Sequence, residues 1–438
     1  MSKRYRCYQP EQTLLLPPNL RDWLPEGHLA YFVSDLVDEL DLSAIEAYYE
    51  AEKRGQPPYH PRLMVKLLVY GYCVGVRSSR KMAQRLDEDV AFRALAAGNR
   101  PDFRTLSDFR KIHLQALSGL FEQVLRLALE AGAIQLGRVA LDGTKMKANA
   151  SKHKAMSWKR MNETEQRLRR EVGEILAAAE QVDEAEDARW GDKRGDELPA
   201  ELARRQSRLE RIREAKEALR QRARERAEAA GQAPEQARQA QPEDKDQYNF
   251  SDPQSRIMKG AEGFVQAYNA QAAVEPATQI IVGQSLTNEA NDKKQLKPLV
   301  EAIEKQSGQR PQGMLADSGY CSEANLEYAA SEQEPEKAIG AWVATGRVKH
   351  SEKPQKAPRG RPPAGLTRVQ KMRRKLLTKA GRKIYSQRKA IVEPVFGQIK
   401  QARGIRQFLL RGLEKARGEW GLICLTHNVL KVHGLVMG

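Results

Sequence analysis

Apolar residues recur at helical spacing through the first third of the chain. From Pro61 it reads R-L-M-V-K-L-L-V-Y-G-Y-C-V-G, with apolar positions three and four apart, the pattern of a helix with one buried face. Ser78 and Ser79 offer a cap before a second helix, R-K-M-A-Q-R-L-D-E-D-V-A-F-R-A-L-A. Pro101 breaks the chain, and two more amphipathic helices follow. Residues 1–135 are therefore expected to form an all-α N-terminal domain. Its short turns could hold a DNA-reading helix-turn-helix, and a plain bundle fits the pattern as well.

The period changes at Gly137. R-V-A-L-D is a short apolar run ending at Asp142, read as a buried strand. Residues 158–244 are dominated by Glu, Arg, Ala and Gln, with Leu202, Leu209, Ile212 and Leu219 on a sparse heptad stripe. Gly191, Gly195 and Pro199 divide this stretch, so it reads as a helical hairpin arm inserted into another domain. Its charges alternate in sign, which marks a solvated arm rather than a phosphate clamp. Strand patterns return after Tyr248. G-F-V-Q-A-Y-N-A-Q-A-A-V-E and T-Q-I-I-V-G-Q-S-L-T make a hairpin about Pro276. N-D-K-K-Q-L-K-P-L-V-E-A-I-E-K-Q is an amphipathic helix, G-M-L-A-D a strand ending at Asp317, C-S-E-A-N-L-E-Y-A-A-S a helix and A-I-G-A-W-V-A-T-G a strand. From Tyr385 the chain is helical. Residues 136–157 and 245–438 thus predict an α/β domain, a mixed sheet flanked by helices.

Charge narrows the function. The 438 residues are 40% hydrophobic and 30% charged, enough to bury a core, with a net charge of +17. Residues 347–383 hold fourteen Lys or Arg and one acid, Glu352, most of that excess. A basic loop of this kind neutralises phosphates, and nucleic acid is the first partner to consider. The four cysteines, Cys7, Cys73, Cys321 and Cys424, form no C-x2-C pair, which fits a reducing cytoplasm. The first residues lack the apolar core of a secretory signal, and no stretch approaches about 18 uninterrupted apolar residues. No Walker A motif points to ATP, no G-x-S-x-G to a serine nucleophile, and the seven histidines show no ligand spacing. His113 and His427, within apolar helices, read as core or surface residues rather than catalysts.

Carboxylates carry the chemistry. A buried strand that ends on an acid leaves that acid to be hydrogen-bonded, paired or bound to metal. Asp142 and Asp317 both follow apolar runs. Two-metal phosphoryl transfer needs such acids around ions about 3.5–4 Å apart, and hard oxygen donors suit Mg2+, with Mn2+ as substitute. Glu393, in I-V-E-P-V-F-G-Q-I-K, supplies a third acid, with Lys400 two helical turns on and expected on the same face.

Together, D-G-T-K-M-K-A-N-A-S at Asp142, D-S-G-Y at Asp317, Y-N-A-Q at Tyr268 and Y-S-Q-R-K-A-I-V-E-P-V-F-G-Q-I-K ending at Lys400 resemble the DDE transposases of bacterial insertion sequences, in the branch with a Tyr-Arg-Glu-Lys signature. The resemblance implies a ribonuclease-H-like core interrupted by an insertion, with Asp142, Asp317 and Glu393 as a metal-binding catalytic triad. It implies Mg2+ as cofactor, double-stranded DNA (terminal inverted repeats and target) as partner, a homodimer in the synaptic complex, and a cytoplasmic, nucleoid-associated protein. Tyr385, Arg388 and Lys400 match the signature residues that contact the transposon end. The usual signature sets Arg four positions before Glu, whereas Arg388 is five before Glu393 and Lys389 is four before it, so both remain candidates. Arg359, Arg361, Arg373, Arg374 and Lys375 in the basic loop are expected to hold flanking DNA. Arg359-Gly360-Arg361-Pro362 also resembles the minor-groove core of AT-hook peptides. Two rival readings are a catalytically silent DNA-binding regulator and a metal-dependent nuclease of the same fold.

Overall fold

A computed structural model describes residues 20–50, 57–190, 200–260, 263–332, 334–346, 357–360 and 362–437. Among the described residues, seven α-helices build the N-terminal part: α1 (Leu29–Glu39), α2 (Ser43–Glu50), α3 (Pro61–Cys73), α4 (Ser79–Glu88), α5 (Val90–Leu95), α6 (Phe103–Ile112) and α7 (Leu114–Glu130). Pro61 opens α3, where its missing amide costs nothing. Asp102 opens α6 by accepting the Arg104 and Thr105 amides. The single helix expected after Ser79 is two. Asp89 leaves the helical conformation and its carboxylate accepts the Ala91 amide, so α5 restarts there.

Eight strands follow among the described residues: β1 (Arg138–Lys147), β2 (Ala155–Ser157), β3 (Gln247–Asn249), β4 (Arg256–Gly260), β5 (Gly263–Val274), β6 (Ile281–Thr287), β7 (Gly313–Ala316) and β8 (Gly340–Val343). β2 and β3 form a two-stranded ribbon; the rest form one sheet. β5 lies between β1 on one edge and β4 and β6 on the other, all antiparallel, and β1, β7 and β8 continue the sheet in parallel. This is the mixed sheet expected of a ribonuclease-H-like core. β5 is buried from Gln266 to Val274 without alternation, so both of its faces are covered. β1 corrects the sequence reading: it does not end at Asp142 but runs to Lys147, because β5 pairs it residue by residue from Ala140↔Val274 to Lys147↔Ala267.

The remaining helices are α8 (Trp158–Trp190), α9 (Ala200–Ala229) and α10 (Pro234–Gln239) in the arm, α11 (Leu296–Ser307), α12 (Glu323–Ala330), α13 (Arg368–Leu377), α14 (Lys379–Tyr385), α15 (Arg388–Gly397) and α16 (Leu413–Met437). A π-helical turn, Gln398–Ala402, follows α15. The segment read as a basic loop is in part helical. Thr367 and Gln370 cap α13 reciprocally, and Met372 is buried beneath it. Its residues 347–356 and 361 lie outside the described residues.

One hydrophobic core runs through both the N-terminal helices and the sheet. α16 is the shared element, packing on α7, α3 and β6. Trp420 on α16 is fully buried and donates its indole N–H to the Gln271 carbonyl oxygen at 3.1 Å. Beside it, the buried Glu419 accepts the Leu409 and Leu410 amides at 2.8 and 3.0 Å and pairs with Arg77 at 3.4 Å. The arm has its own small core of Trp158, Met161, Leu168, Leu209, Ile212, Ala215 and Leu219. Leu209, Ile212 and Leu219 are three of the four stripe residues; the side chain of Leu202 lies outside those described.

Because the arm core is separate, damage to it should stay local. Leu219→Ala removes a side chain only 2% exposed and should cost about 2–4 kcal/mol in the arm. Hydrogen exchange should then quicken in α8 and α9 while β1 and β5 keep their protection. Equal loss of protection in the sheet would contradict a separate arm core.

Candidate functional site

The site begins with two parallel strands of unequal length. β7 accompanies β1 only as far as Leu141↔Ala316 and then turns away at Asp317. β1 continues with β5 on its other edge, and its free edge is taken up again only at Lys147, by Gln407. Between these points the β1 edge from Asp142 to Met146 has no strand beside it among the described residues. The opening lies beyond the carboxyl end of β7, where open sheets collect their functional groups. Asp317 opens the short turn Ser318–Tyr320, its Oδ1 accepting the Gly319 amide at 2.8 Å. Asp142 Oδ1 accepts the adjacent Gly143 amide at 2.8 Å.

Arg388, the first residue of α15, is 8% exposed and sets its Nη1 3.1 Å from Asp142 Oδ2. Burial is the largest influence on Asp142; Arg388 pulls against it, Asp317 adds to it, and the carboxyl is lifted to about 6. Desolvation also acts on Arg388, but Asp142, Tyr385 and Asp317 outweigh it and raise its pKa. The pair therefore steadies the arginine more than the aspartate. Tyr385, half-buried beside the same guanidinium, also acts on it electrostatically. Lys400 donates its Nζ to Thr144 Oγ1 at 2.6 Å and to the Lys145 carbonyl at 2.8 Å, and so covers part of the bare β1 edge. Burial and then Lys145 push its amine down to about 8.

A further acid, absent from the sequence reading, joins the cluster. The sequence pattern puts N-D-K-K at the start of a helix, but α11 begins at Leu296 and leaves Asp292 in the preceding turn. Its Oδ1 accepts Asn269 Nδ2 at 2.6 Å and Gln271 Nε2 at 2.7 Å, with Lys145 Nζ at 3.7 Å. Gln271 Oε1 in turn accepts the buried Tyr320 hydroxyl. Both motif glycines border this carboxylate. A Cβ on Gly143 would fall 2.7 Å from Asp292 Oδ1, and one on Gly319 would fall 3.2 Å from Asp292 Oδ2 and 3.0 Å from Asp317 Oδ1. The field of Asp142, Asp292 and Asp317 acts jointly on Lys145 and on Tyr320. The sequence signal for Asp292 is its position just after a strand on the sheet's functional side, a pattern shared with ordinary turn residues.

Glu393 stands apart. It is exposed on α15 and has no hydrogen bond or ion pair among the described residues. Lys400 lies in the π-helical turn and reaches back to β1. Among the described residues, no three His, Cys, Asp or Glu side chains are drawn closely enough to hold a metal ion. The Arg388 and Lys389 alternatives separate clearly: Arg388 faces the acids and Lys389 faces solvent. Arg373 and Arg359 are exposed. Arg374 donates to the Arg359 and Gly360 carbonyls, and Lys375 lies 4.0 Å from the Trp342 ring centroid with its amine on the Ala341 carbonyl. Arg361 lies outside the described residues. His113 and His427 are packing residues, bonded to the Tyr49 hydroxyl and the Gln279 carbonyl, each at 3.0 Å.

Two family models match the chain. One, described as Transposase domain (DUF772), covers residues 18–112, the N-terminal helices. The other, described as Transposase DDE domain, covers residues 233–429, from α10 to α16. The second match includes Asp292, Asp317 and Glu393 and begins after β1 and most of the arm. No curated protein and no solved structure matches the chain. No helix among the described residues is long and apolar enough to cross a membrane.

The tight fit around Gly143 makes a direct prediction. A Cβ there would lie 2.4 Å from Gln271 Nε2 as well as 2.7 Å from Asp292. Gly143→Ala should therefore destabilise the protein by about 1–3 kcal/mol, seen as a lower thermal midpoint. An unchanged midpoint would mean that the Asp292 network does not press on β1.

Proposed function

Because this chain belongs to the DDE transposases of the insertion-sequence type, and so to the phosphoryl-transfer enzymes that act on DNA, we propose that it binds the inverted-repeat ends of its element, cleaves there and transfers the freed 3′-hydroxyl strand into target DNA. The observation that carries this reading is the meeting of Asp142, Asp317 and Arg388 at the bare edge of β1, beyond the end of β7.

Asp142 and Asp317 offer hard oxygen donors that repel one another, and Arg388 and Lys145 partly offset that repulsion. Such a pair fits a divalent cation of the Mg2+ or Mn2+ kind, which uses few protein ligands and completes its shell with water and substrate phosphate. When bound, the ion would activate the attacking oxygen and stabilise the leaving one. Glu393 joins the triad through its place in the signature. A second reading takes Asp292 as the third carboxylate, and the shared border of Gly143 and Gly319 on Asp292 favours it.

The cations have separate tasks in this proposal. Arg388, held by Asp142 with Tyr385 beside it, and the half-buried Lys400 face the scissile phosphate. Lys389, Arg373 and Arg359 are exposed and meet flanking DNA backbone, with Arg374 and Lys375 bracing the segment that carries them. Arg361 belongs to the same basic segment. Synapsis of two element ends calls for a homodimer, in the cytoplasm beside the chromosome.

Asp142→Asn, Asp317→Asn and Glu393→Gln should each abolish Mg2+-dependent cleavage of end-bearing DNA and spare DNA binding. Joined strands among the wild-type products separate a transposase from a simple nuclease. Mg2+ should also raise the thermal midpoint of the wild type, by mass action on the folded state, and not that of the Asp142 and Asp317 variants. Wild-type cleavage by any of the three variants refutes the triad. A Mg2+ shift kept in Glu393→Gln and lost in Asp292→Asn moves the third ligand to Asp292.

A further inference from the structure

The arm alternates in charge along the sequence, yet the fold sorts those charges by side. On one side they are consumed internally. Glu165 is buried and takes Lys216 Nζ at 2.6 Å, Arg213 at 3.7 Å and also Arg169. Arg220 pairs with Glu217 at 3.2 Å, and Arg205 with Glu171 at 3.0 Å. The other side is a groove of about 700 Å³ between the arm and the β2–β3 ribbon. Lys154, Arg160, Arg204, Arg208 and Arg211 line it, and among the described residues no acid does. All five are exposed, and none has an ion-pair partner among the described residues.

The arrangement has the form of a backbone reader. Arg204, Arg208 and Arg211 stand at i, i+4 and i+7 on α9, one stripe about 10 Å long. That length matches the axial rise of about three base pairs of duplex DNA. The stripe is held from beneath by the arm core, since Leu209 and Ile212 are buried at neighbouring positions. Arg211 lies 5.7 Å from the Phe250 ring centroid, which steadies it while its outer edge stays free. The site is also connected to the acids. The ribbon follows β1 in the chain, β2 beginning eight residues after the end of β1, and β1 runs five residues beyond Asp142, about 17 Å.

We propose that this groove at the base of the arm is a second DNA-backbone site, holding the duplex away from the point of cleavage through its phosphodiesters without reading its bases. The proposal rests on DNA being the substrate and adds a binding surface outside the signature residues and the basic segment. It turns the arm from a solvated appendage into part of the DNA path.

The test uses the full chain in EDTA with a random-sequence 40-base-pair duplex, so that cleavage plays no part. Affinity is measured from 50 to 200 mM NaCl. Arg204→Gln, Arg208→Gln and Arg211→Gln together should lower the slope of log affinity against log salt by about 2.7, at about 0.9 for each phosphate left without its arginine. Over that fourfold range in salt, the variant's affinity should fall about 40-fold less than that of the wild type. A control removes the same formal charge from the paired side, with Arg169, Arg213 and Arg220 changed to Gln, and should lower the slope by less than about 1. Matching thermal midpoints show that both variants are folded. An unchanged slope in the groove variant, or equal drops in both, overturns the proposal. A wild type that binds no DNA at any salt overturns the transposase reading instead.

Discussion

A parallel strand pair whose members stop at different places governs this molecule. β1 must extend to Lys147 to keep its eight-residue ladder with β5, while β7 has only four residues and ends at Ala316. A strand edge left without a neighbour exposes backbone groups that need partners, and it opens space for side chains from other elements. Here both happen. The Lys145 carbonyl accepts from Lys400, and Asp142, Asp317, Asp292 and Arg388 converge around the gap. Had β7 run two residues further, Asp317 would have become a ladder residue beside Asp142 and the gap would have narrowed to Thr144–Met146.

The charges around that gap form an incomplete balance. Buried carboxylates are costly when unpaired, and Asp142 remains lifted to about 6 even with Arg388 beside it. Lys400 stands nearby with its amine pushed down to about 8, bonded among the described residues to neutral oxygens and not to an acid. Anions lack enough positive charge on one side, and a cation lacks an anion on the other. A divalent ion and a phosphate are complementary to those two deficits. The same logic separates the basic residues of the C-terminal half. Arg374 and Lys375 spend their donors on backbone carbonyls, whereas Lys389, Arg373 and Arg359 keep theirs in solvent.

α16 ties this site to the N-terminal helices. Its buried Trp420 and Glu419 hold β5, the Leu409–Leu410 segment and Arg77 to one another. The N-terminal helices are therefore not an independent body hinged to the sheet; they share its core. The arm is the opposite case, with a separate small core and a surface whose charges are neutralised on one side only.

The sequence by itself determined the elements whose physics is local. Apolar periodicity located the N-terminal helices, the β5–β6 hairpin, the arm and the acid-bearing strand before Asp317, and three spaced motifs identified the enzyme family. Tertiary structure decided what depends on neighbours distant in the chain. It decided that β1 runs past Asp142, because the β5 residues that pair with it lie 120 or more positions away in the chain. It turned Arg388 inward and Lys389 outward, which helical arithmetic across Pro394 could not resolve. It drew Asp292 to the glycines of two motifs and left Glu393 in solvent. It also sorted the arm's alternating charges into a paired side and an unpaired one. Periodicity reports which face of an element is buried, but not what it is buried against, and a site is made of the second.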